Sequence, residues 1–373
     1  MANLVLSNLN KIYRPRSKPA VHAVKSLNLT VNDGEIVALL GSSGCGKTSI
    51  LRMIAGFEEV TEGSITLGGR AIHQLPPSAR NVAMAFEAYS LYPPLTIGDN
   101  IAFALKAAKL SVAVSNAKVK DMAAMLEISG ILEKYPVNIS GGQQQRASLG
   151  RALVRKADLY LLDEPMGQLE PQLRAILRGR IKHYLREKKC TSILVTHDQT
   201  EANALADRIA VMEAGILQQY ATPTELKARP ANLFTGTFIG EPPMNVLNAT
   251  VETTAKQVSF KIDGGSILRY PSSDISRDVT KALKNRTTVT LGIRPHAVQT
   301  EQGSIKGKII ACQWLGDQTH VAVDVGGHTV VSVTPEKVNM KPGADIALNI
   351  AAKDLHIFDP ESGSALSHGG LAA

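Results

Sequence analysis

The apolar run Ile36-Val37-Ala38-Leu39-Leu40 leads straight into Gly41-Ser42-Ser43-Gly44-Cys45-Gly46-Lys47-Thr48, and a helical segment follows that stops at Gly56. This GxxxxGK[ST] pattern requires a strand before it and a helix after it, and both are supplied. The chain must therefore build a sheet whose edge presents a phosphate-binding loop. The glycines let backbone N–H groups converge on phosphate oxygens, and the helix N-terminus adds partial positive charge. Lys47 reaches the terminal phosphates of a nucleotide, and Thr48 offers a hydroxyl to Mg²⁺. Cys45 reads as inert loop filler.

A second apolar strand, Leu159-Tyr160-Leu161-Leu162, ends in Asp163-Glu164-Pro165. Ligands of parallel sheets bind at the carboxyl ends of the strands, so both carboxylates emerge where a nucleotide would lie. Alternation along the strand sends them in different directions. Asp163 is expected in the Mg²⁺ shell, and Glu164 is expected to take a proton from an attacking water. A base so placed typically contributes about 10²- to 10⁴-fold. Between the two strands lies Ile139-Ser140-Gly141-Gly142-Gln143-Gln144-Gln145-Arg146, where Ser140 can cap the next helix and the glycines admit an anion. Alone, that segment could be any capped turn.

The surrounding pattern divides the chain. Up to about residue 87, short apolar runs separated by turn signals read as strands; from about Asn100 to Lys156 the period becomes helical, with Val119, Met122, Ala123 and Leu126 on one buried face. Strand and helix signals then alternate to about Arg229, which implies a largely parallel sheet covered by helices. A helix is expected from Pro171 to Lys188, with Leu173, Ile176, Leu177, Ile181 and Leu185 as its apolar stripe. Its basic residues, Arg174, Arg178, Arg180, Lys182, Arg186 and Lys188, read as a solvated face. Beyond Gly240-Glu241-Pro242-Pro243-Met244-Asn245 come eight or so short β runs, an all-β module, and then ESGSALSHGGLAA, which reads as a frayed tail.

Composition narrows the function. Forty-one Lys and Arg against 33 Asp and Glu leave a net charge of +8, which suits anionic ligands of many kinds. Only 7 Phe, 8 Tyr and 1 Trp are present, none interleaved with basic residues as a stacking platform for bases requires, so nucleic acid is not an expected partner. No uncharged apolar run approaches the roughly 18 residues of a spanning helix, the first residues do not resemble a signal peptide, and three scattered cysteines suit a reducing compartment. The expected setting is cytosolic.

Taken together with the loop and the Asp-Glu strand, Ser140-Gly141-Gly142-Gln143 makes residues 3 to 235 resemble the ATP-binding-cassette (ABC) ATPases, whose signature is LSGGQ. The resemblance implies an α/β P-loop NTPase: a RecA-like core with an antiparallel β subdomain and a helical insert at about residues 88 to 156. Residues 236 to 373 resemble the OB-like, TOBE-type extension of carbohydrate-import ATPases of the maltose-type group. The pieces that carry this second likeness are residues 240 to 245, Gly292-Ile293-Arg294-Pro295-His296 and Trp314-Leu315-Gly316 within a strand pair. The family implies ATP and Mg²⁺ as ligands, and a site shared between two subunits: the P-loop of one holds ATP while Ser140, Gly141, Gly142 and Gln143 of the other cover the γ-phosphate. It further implies Tyr13 stacked on adenine, His197 as a switch histidine at the γ-phosphate, and a regulatory or dimerisation role for the extension. Two integral-membrane permease subunits, an extracellular solute-binding protein and a peripheral place on the cytoplasmic face of the inner membrane follow from the same likeness. The activity expected is that of a transport ATPase energising uptake of a sugar, polyol or glycerol-type solute. A soluble ABC-type switch acting on ribosomes or nucleic acid, and a small-molecule kinase, are the alternatives.

Two positions depart from the family. Glu87 stands where a glutamine usually ligates Mg²⁺ and adds negative charge near the triphosphate; Glu170 stands in the D-loop in place of Asp, after Gly167-Gln168. Such departures fit either neutral drift in a working ATPase that pairs with its own copy or pairing with a different ATPase subunit.

Overall fold

The computed structural model describes residues 2–16, 19–275, 277–283, 286–300 and 303–368. The chain divides into two compact units, Met1–Pro223 and Thr224–Ala373.

In the first unit β1 (Leu4–Tyr13), β2 (Val21–Val31), β3 (Ile36–Gly41), α1 (Lys47–Ala55), β4 (Glu62–Leu67), β5 (Arg70–Ala71) and β6 (Val82–Ala85) come first. They are followed by α2 (Ile97–Phe103), α3 (Val112–Met125), α4 (Gly141–Leu153), β7 (Leu159–Asp163), α5 (Pro171–Glu187), β8 (Ser192–Thr196), α6 (Gln199–Leu205), β9 (Arg208–Glu213) and β10 (Ile216–Ala221). A four-stranded antiparallel sheet runs β2-β1-β4-β5, and a six-stranded sheet runs β10-β9-β3-β8-β7-β6. Every pairing in the larger sheet is parallel except β10 with β9. That is why β3, β7 and β8 are apolar without alternation: helices and the second sheet cover both faces, and all their residues are buried. Leu39, Leu51, Ile54, Leu161, Ile193 and Met212 share one core with Leu6, Leu29 and Ile65 of the antiparallel sheet.

Two buried polar side chains fix the segments around the sheet edge. Arg80 donates to the carbonyls of Met53 (2.6 Å) and Ile54 (2.9 Å), satisfying the C-terminal end of α1, and also to Leu75 and His73. Asn100 is wholly buried; it accepts from the Tyr92 N–H at 2.7 Å and donates to the carbonyls of Tyr92, Leu95 and Thr96. That bonding folds the loop that enters α2. Val119, Met122, Ala123 and Leu126 are buried as the helical period requires. The stripe on α5 is narrower than expected: Leu177, Ile181 and Leu185 are buried, Leu173 is half-buried, and Ile176 is exposed because it lies outside their i, i+4, i+8 line.

In the second unit α7 (Pro223–Ala228) and α8 (Leu233–Phe238) precede the strands β11 (Asn245–Thr253), β12 (Gln257–Ile262) and β13 (Ile267–Pro271), then α9 (Arg277–Leu283). The remaining strands are β14 (Thr288–Ile293), β15 (Ile305–Trp314), β16 (Thr319–Val325), β17 (His328–Thr334), β18 (Asp345–Leu348), β19 (Leu355–Phe358) and β20 (Ala365–His368). Two antiparallel sheets, β13-β12-β11-β14-β19-β20 and β17-β16-β15-β18, enclose one apolar core that includes Leu247, Phe260, Leu291, Val323 and Ile357. Asn245 bonds the Val331 backbone in both directions (2.8 and 2.7 Å), lacing β11 to β17 as a peptide group would. Arg294 is buried and donates to the carbonyls of Lys227 (3.0 Å), Gly236 (2.8 Å) and Ile239. Residues 224 to 239 therefore group with the β module.

The expectation of a frayed tail is corrected. Ala365–His368 pairs with β19, His356 facing His368, and half-buried Leu366 packs on the core; residues 369–373 lie outside the described residues. The turn that allows this is built by Asp359, whose carboxylate accepts from the backbone of Glu361 and Ser362. Likewise Trp314 ends β15, while Leu315 and Gly316 belong to the turn that follows, closed by Leu315 N–H to Gln318 O at 2.9 Å.

Candidate functional site

With β3 ending at Gly41 and α1 starting at Lys47, residues 42–46 form the loop at the carboxyl edge of the sheet. Ser42, Ser43 and Gly44 form its exposed crest and Cys45 is buried beneath them. Gly46 has φ 100°, and a Cβ there would stand 2.3 Å from the Ala23 carbonyl oxygen, so only glycine fits. Lys47 is buried, and its ammonium donates to the carbonyls of Gly41 (2.8 Å) and Ser42 (2.9 Å), which hold it inside the loop. Thr48 follows in the first turn of α1, and Tyr13, at the end of β1, shares a 3.1 Å hydrogen bond with Ser49 Oγ. The sequence thus places an aromatic face beside the loop.

Asp163 is the last residue of β7, paired in register with Val195 of β8. Its Oδ1 is buried with no hydrogen-bond partner. Burial first, then the charges of Glu87 and Glu164, push its carboxyl up to about 6, against the opposing pull of Arg52 and Lys47. An orphaned carboxylate oxygen beside a phosphate loop fits a hard divalent cation, which takes oxygen donors; Thr48 and Glu87 are the other oxygen donors at this edge. Glu164 leaves the strand with φ 46°, a left-handed conformation that costs a non-glycine residue roughly 1–3 kcal/mol. Its N–H donates to Val195 O at 2.9 Å, and its Oε1 lies 2.9 Å from Nδ1 of exposed His197. The strand ends at Asp163, so it is this left-handed backbone, not strand alternation, that turns Glu164 toward His197.

Ser140 caps α4 in a reciprocal capping box with Gln143. Gly141 lies under the side chain of exposed Gln168, whose Oε1 is 2.7 Å from where a Cβ would stand and could swing aside for one. Two contributors were missed by sequence reasoning. Gln145, read only as part of the helix, is 4% exposed; its Nε2 donates to Glu164 O at 2.7 Å and its Oε1 accepts from Gln168 N–H at 3.1 Å. Arg174, read as part of a solvated face, donates to Gly167 O (3.3 Å) and Leu169 O (3.1 Å) and pairs with Asp198 at 3.2 Å. Its signal was its place one turn into a helix whose first residue follows the D-loop. Glu170 is the N-cap of α5 and makes no side-chain capping bond, a role that a shorter Asp side chain fills well.

Below His197 sits a buried carboxyl. Glu201 is 2% exposed; its Oε2 accepts from the Thr196 hydroxyl at 2.8 Å and its Oε1 has no partner. Burial raises its pKa from 4.5 to about 7, the Thr196 bond opposing and the charges of Glu164 and Asp198 adding. A carboxyl raised on folding binds its proton more tightly in the native state, so stability falls as pH rises from about 4.5 through 7, in total by about 3 kcal/mol. Glu201→Gln removes that titration. The variant is expected to melt above the parent at pH 8, with the gap closing toward pH 5; melts across that range check it, and a gap independent of pH contradicts it.

Residues 24–167 match the ABC transporter family, residues 240–298 the MalK OB fold domain and residues 291–358 the TOBE domain. The chain is 39% identical over 370 residues to an sn-glycerol-3-phosphate import ATP-binding protein of Cereibacter sphaeroides, spanning 98% of this chain and 100% of that one. It is 36% identical over 366 residues to the alpha-glucoside transport ATP-binding protein AglK of Rhizobium meliloti, spanning 96% and 98%. A dimeric post-hydrolysis structure of the ATP-binding cassette MJ0796 with ADP and Pi superposes with a TM-score of 0.55 at 26% identity, covering 59% of this chain and 98% of that one. The chain belongs to the ABC transporter family, as an ATP-binding protein that carries a MalK-type OB fold and a TOBE domain.

Proposed function

We propose that this ATPase energises import of a sugar, polyol or glycerol-type solute, working as one of two cassettes beneath separate permease chains. The observation that carries the catalytic part is the convergence of a buried, unpartnered Asp163 oxygen and the Glu164–His197 pair beside the loop that holds Lys47. Relatives of nearly the same length that serve sn-glycerol-3-phosphate and alpha-glucoside systems support the solute class. No helix among the described residues is long and apolar enough to cross a membrane; the likeness to ATP-binding proteins of import systems supports separate permease chains and a peripheral place on the cytoplasmic face of the inner membrane.

In this reading the backbone of Gly41 to Gly46 and the Lys47 ammonium hold the β- and γ-phosphates of ATP, and Tyr13 stacks on the adenine. Thr48, Asp163 and Glu87 would hold Mg²⁺, which when bound offsets phosphate charge. Glu164 accepts a proton from the water whose oxygen attacks the γ-phosphorus, and the bond to the β,γ-bridging oxygen breaks. His197 orients Glu164 through the 2.9 Å contact and faces the γ-phosphate. Ser140 to Gln143 of a second cassette close the site from the other side, and the dimeric ABC cassette structure supports that pairing. The first unit, to Pro223, serves as the nucleotide-binding domain, and the second, from Thr224, as a regulatory and dimerisation module. An extracellular solute-binding protein delivers the solute.

Affinity purification of the full chain from detergent-solubilised membranes tests this. The expected complex contains two multi-spanning polypeptides and two cassette chains, and its ATPase is stimulated by a solute of this class with its binding protein. Recovery with ribosomes or nucleic acid and no membrane protein overturns the importer reading.

A further inference from the structure

We infer that Gln145 is a positioning residue for hydrolysis, tying the place of the signature helix to the direction in which Glu164 points. Its side-chain amide is buried, and it spans two backbone groups from different segments: it donates to Glu164 O at 2.7 Å and accepts from Gln168 N–H at 3.1 Å. Glu164 is held in a left-handed conformation at φ 46°, which persists only where neighbours over-determine it. Its N–H is fixed by Val195 O on one side and its carbonyl by Gln145 on the other. Gln145 itself belongs to α4, the signature helix, so one side chain links that helix to the residue that activates water. A displacement of α4 by a nucleotide against Ser140 to Gln143 is passed to Glu164 through this amide. Neither a donor nor an acceptor alone serves, because the two backbone groups need opposite partners.

This inference rests on the reading of Glu164 as the proton acceptor, and the two fail differently. Gln145→Met keeps the packing volume and removes both bonds; Gln145→Glu keeps the acceptor and, when ionised, loses the donor. Gln145→Met is expected to lower kcat of the full chain by about 10²-fold with KM for ATP changed less than threefold. Gln145→Glu is expected to be similarly slow at pH 8 and to recover at least fivefold relative to the parent at pH 6, where its protonated carboxyl donates again. The double variant with Glu164→Gln should be no slower than Glu164→Gln alone. If Gln145→Met keeps kcat within threefold while Glu164→Gln does not, Gln145 has no such role. Equal loss in KM and kcat, or a Gln145→Glu deficit that does not depend on pH, also overturns it. If Glu164→Gln itself leaves turnover unchanged, it is the reading of Glu164 that fails.

Discussion

Glu164→Gln is expected to lower ATP turnover by about 10²- to 10⁴-fold, the range a positioned base contributes. That corresponds to about 3–5 kcal/mol of lost transition-state stabilisation. Glutamine has the same shape and keeps an oxygen for the 2.9 Å contact with His197, so the site should remain assembled. Only the capacity to take the proton from water is lost. Removing the Glu164 charge also relieves one of the influences that raise Asp163, so Asp163 ionises more readily and Mg·ATP affinity should hold or improve. The variant should therefore bind ATP as tightly as the parent and accumulate as an ATP-loaded dimer. Steady-state ATPase, nucleotide titration and sedimentation velocity check these expectations. Turnover within threefold of the parent would remove Glu164 from the chemistry.

Gly46→Ala is the second large effect, and it acts on the substrate rather than the water. A φ of 100° is already strained for any side chain, at roughly 1–3 kcal/mol. The added Cβ would also lie 2.3 Å from the backbone oxygen of Ala23, which no rotamer change relieves. The loop must move, and with it the Gly41 and Ser42 carbonyls that hold Lys47. ATP affinity is expected to fall at least 10- to 100-fold, equivalent to about 1.4–2.7 kcal/mol, and the melting temperature of the first unit by roughly 5–10 °C. Gly44→Ala is the control: its φ of 78° carries the same kind of strain, but nothing lies within 4 Å of a Cβ there. It should lose less than tenfold in affinity. Equal losses at the two positions would show that the approach to Ala23 does not shape the loop.

What could be read from the sequence was chemistry carried by contiguous residues. The loop from Gly41 to Thr48, the Asp163-Glu164 strand end and the Ser140 cap each declare themselves within a few positions, because strand, turn and helix signals are local. The groups that hold these pieces in register bridge distant segments. Arg80 seals α1 from 26 residues beyond Ile54, and Arg294 gathers carbonyls 55 to 67 residues before it. A lone arginine gives no hint of such partners. Gln145 looks like a polar helix residue until the fold sets it between Glu164 and Gln168. β20 was missed because its four residues alternate weakly, and they become a strand only through pairing with β19. Arg174 illustrates the opposite error, a charge assigned to solvent that the fold uses to hold the D-loop carbonyls.

The central claim is that each hydrolytic site takes its phosphate loop from one cassette and its signature from another. Two variants of this chain separate the halves: Lys47→Ala disables the loop, and Ser140→Arg blocks the signature. Each alone should cleave bound ATP at background rate in single-turnover assays. Mixed in equal amounts, they form dimers in which one site has both defects and the other has neither. The account predicts that the mixture cleaves ATP in a burst of up to one molecule per mixed dimer; a mixture no faster than the two variants measured separately, with mixed dimers present, would contradict it.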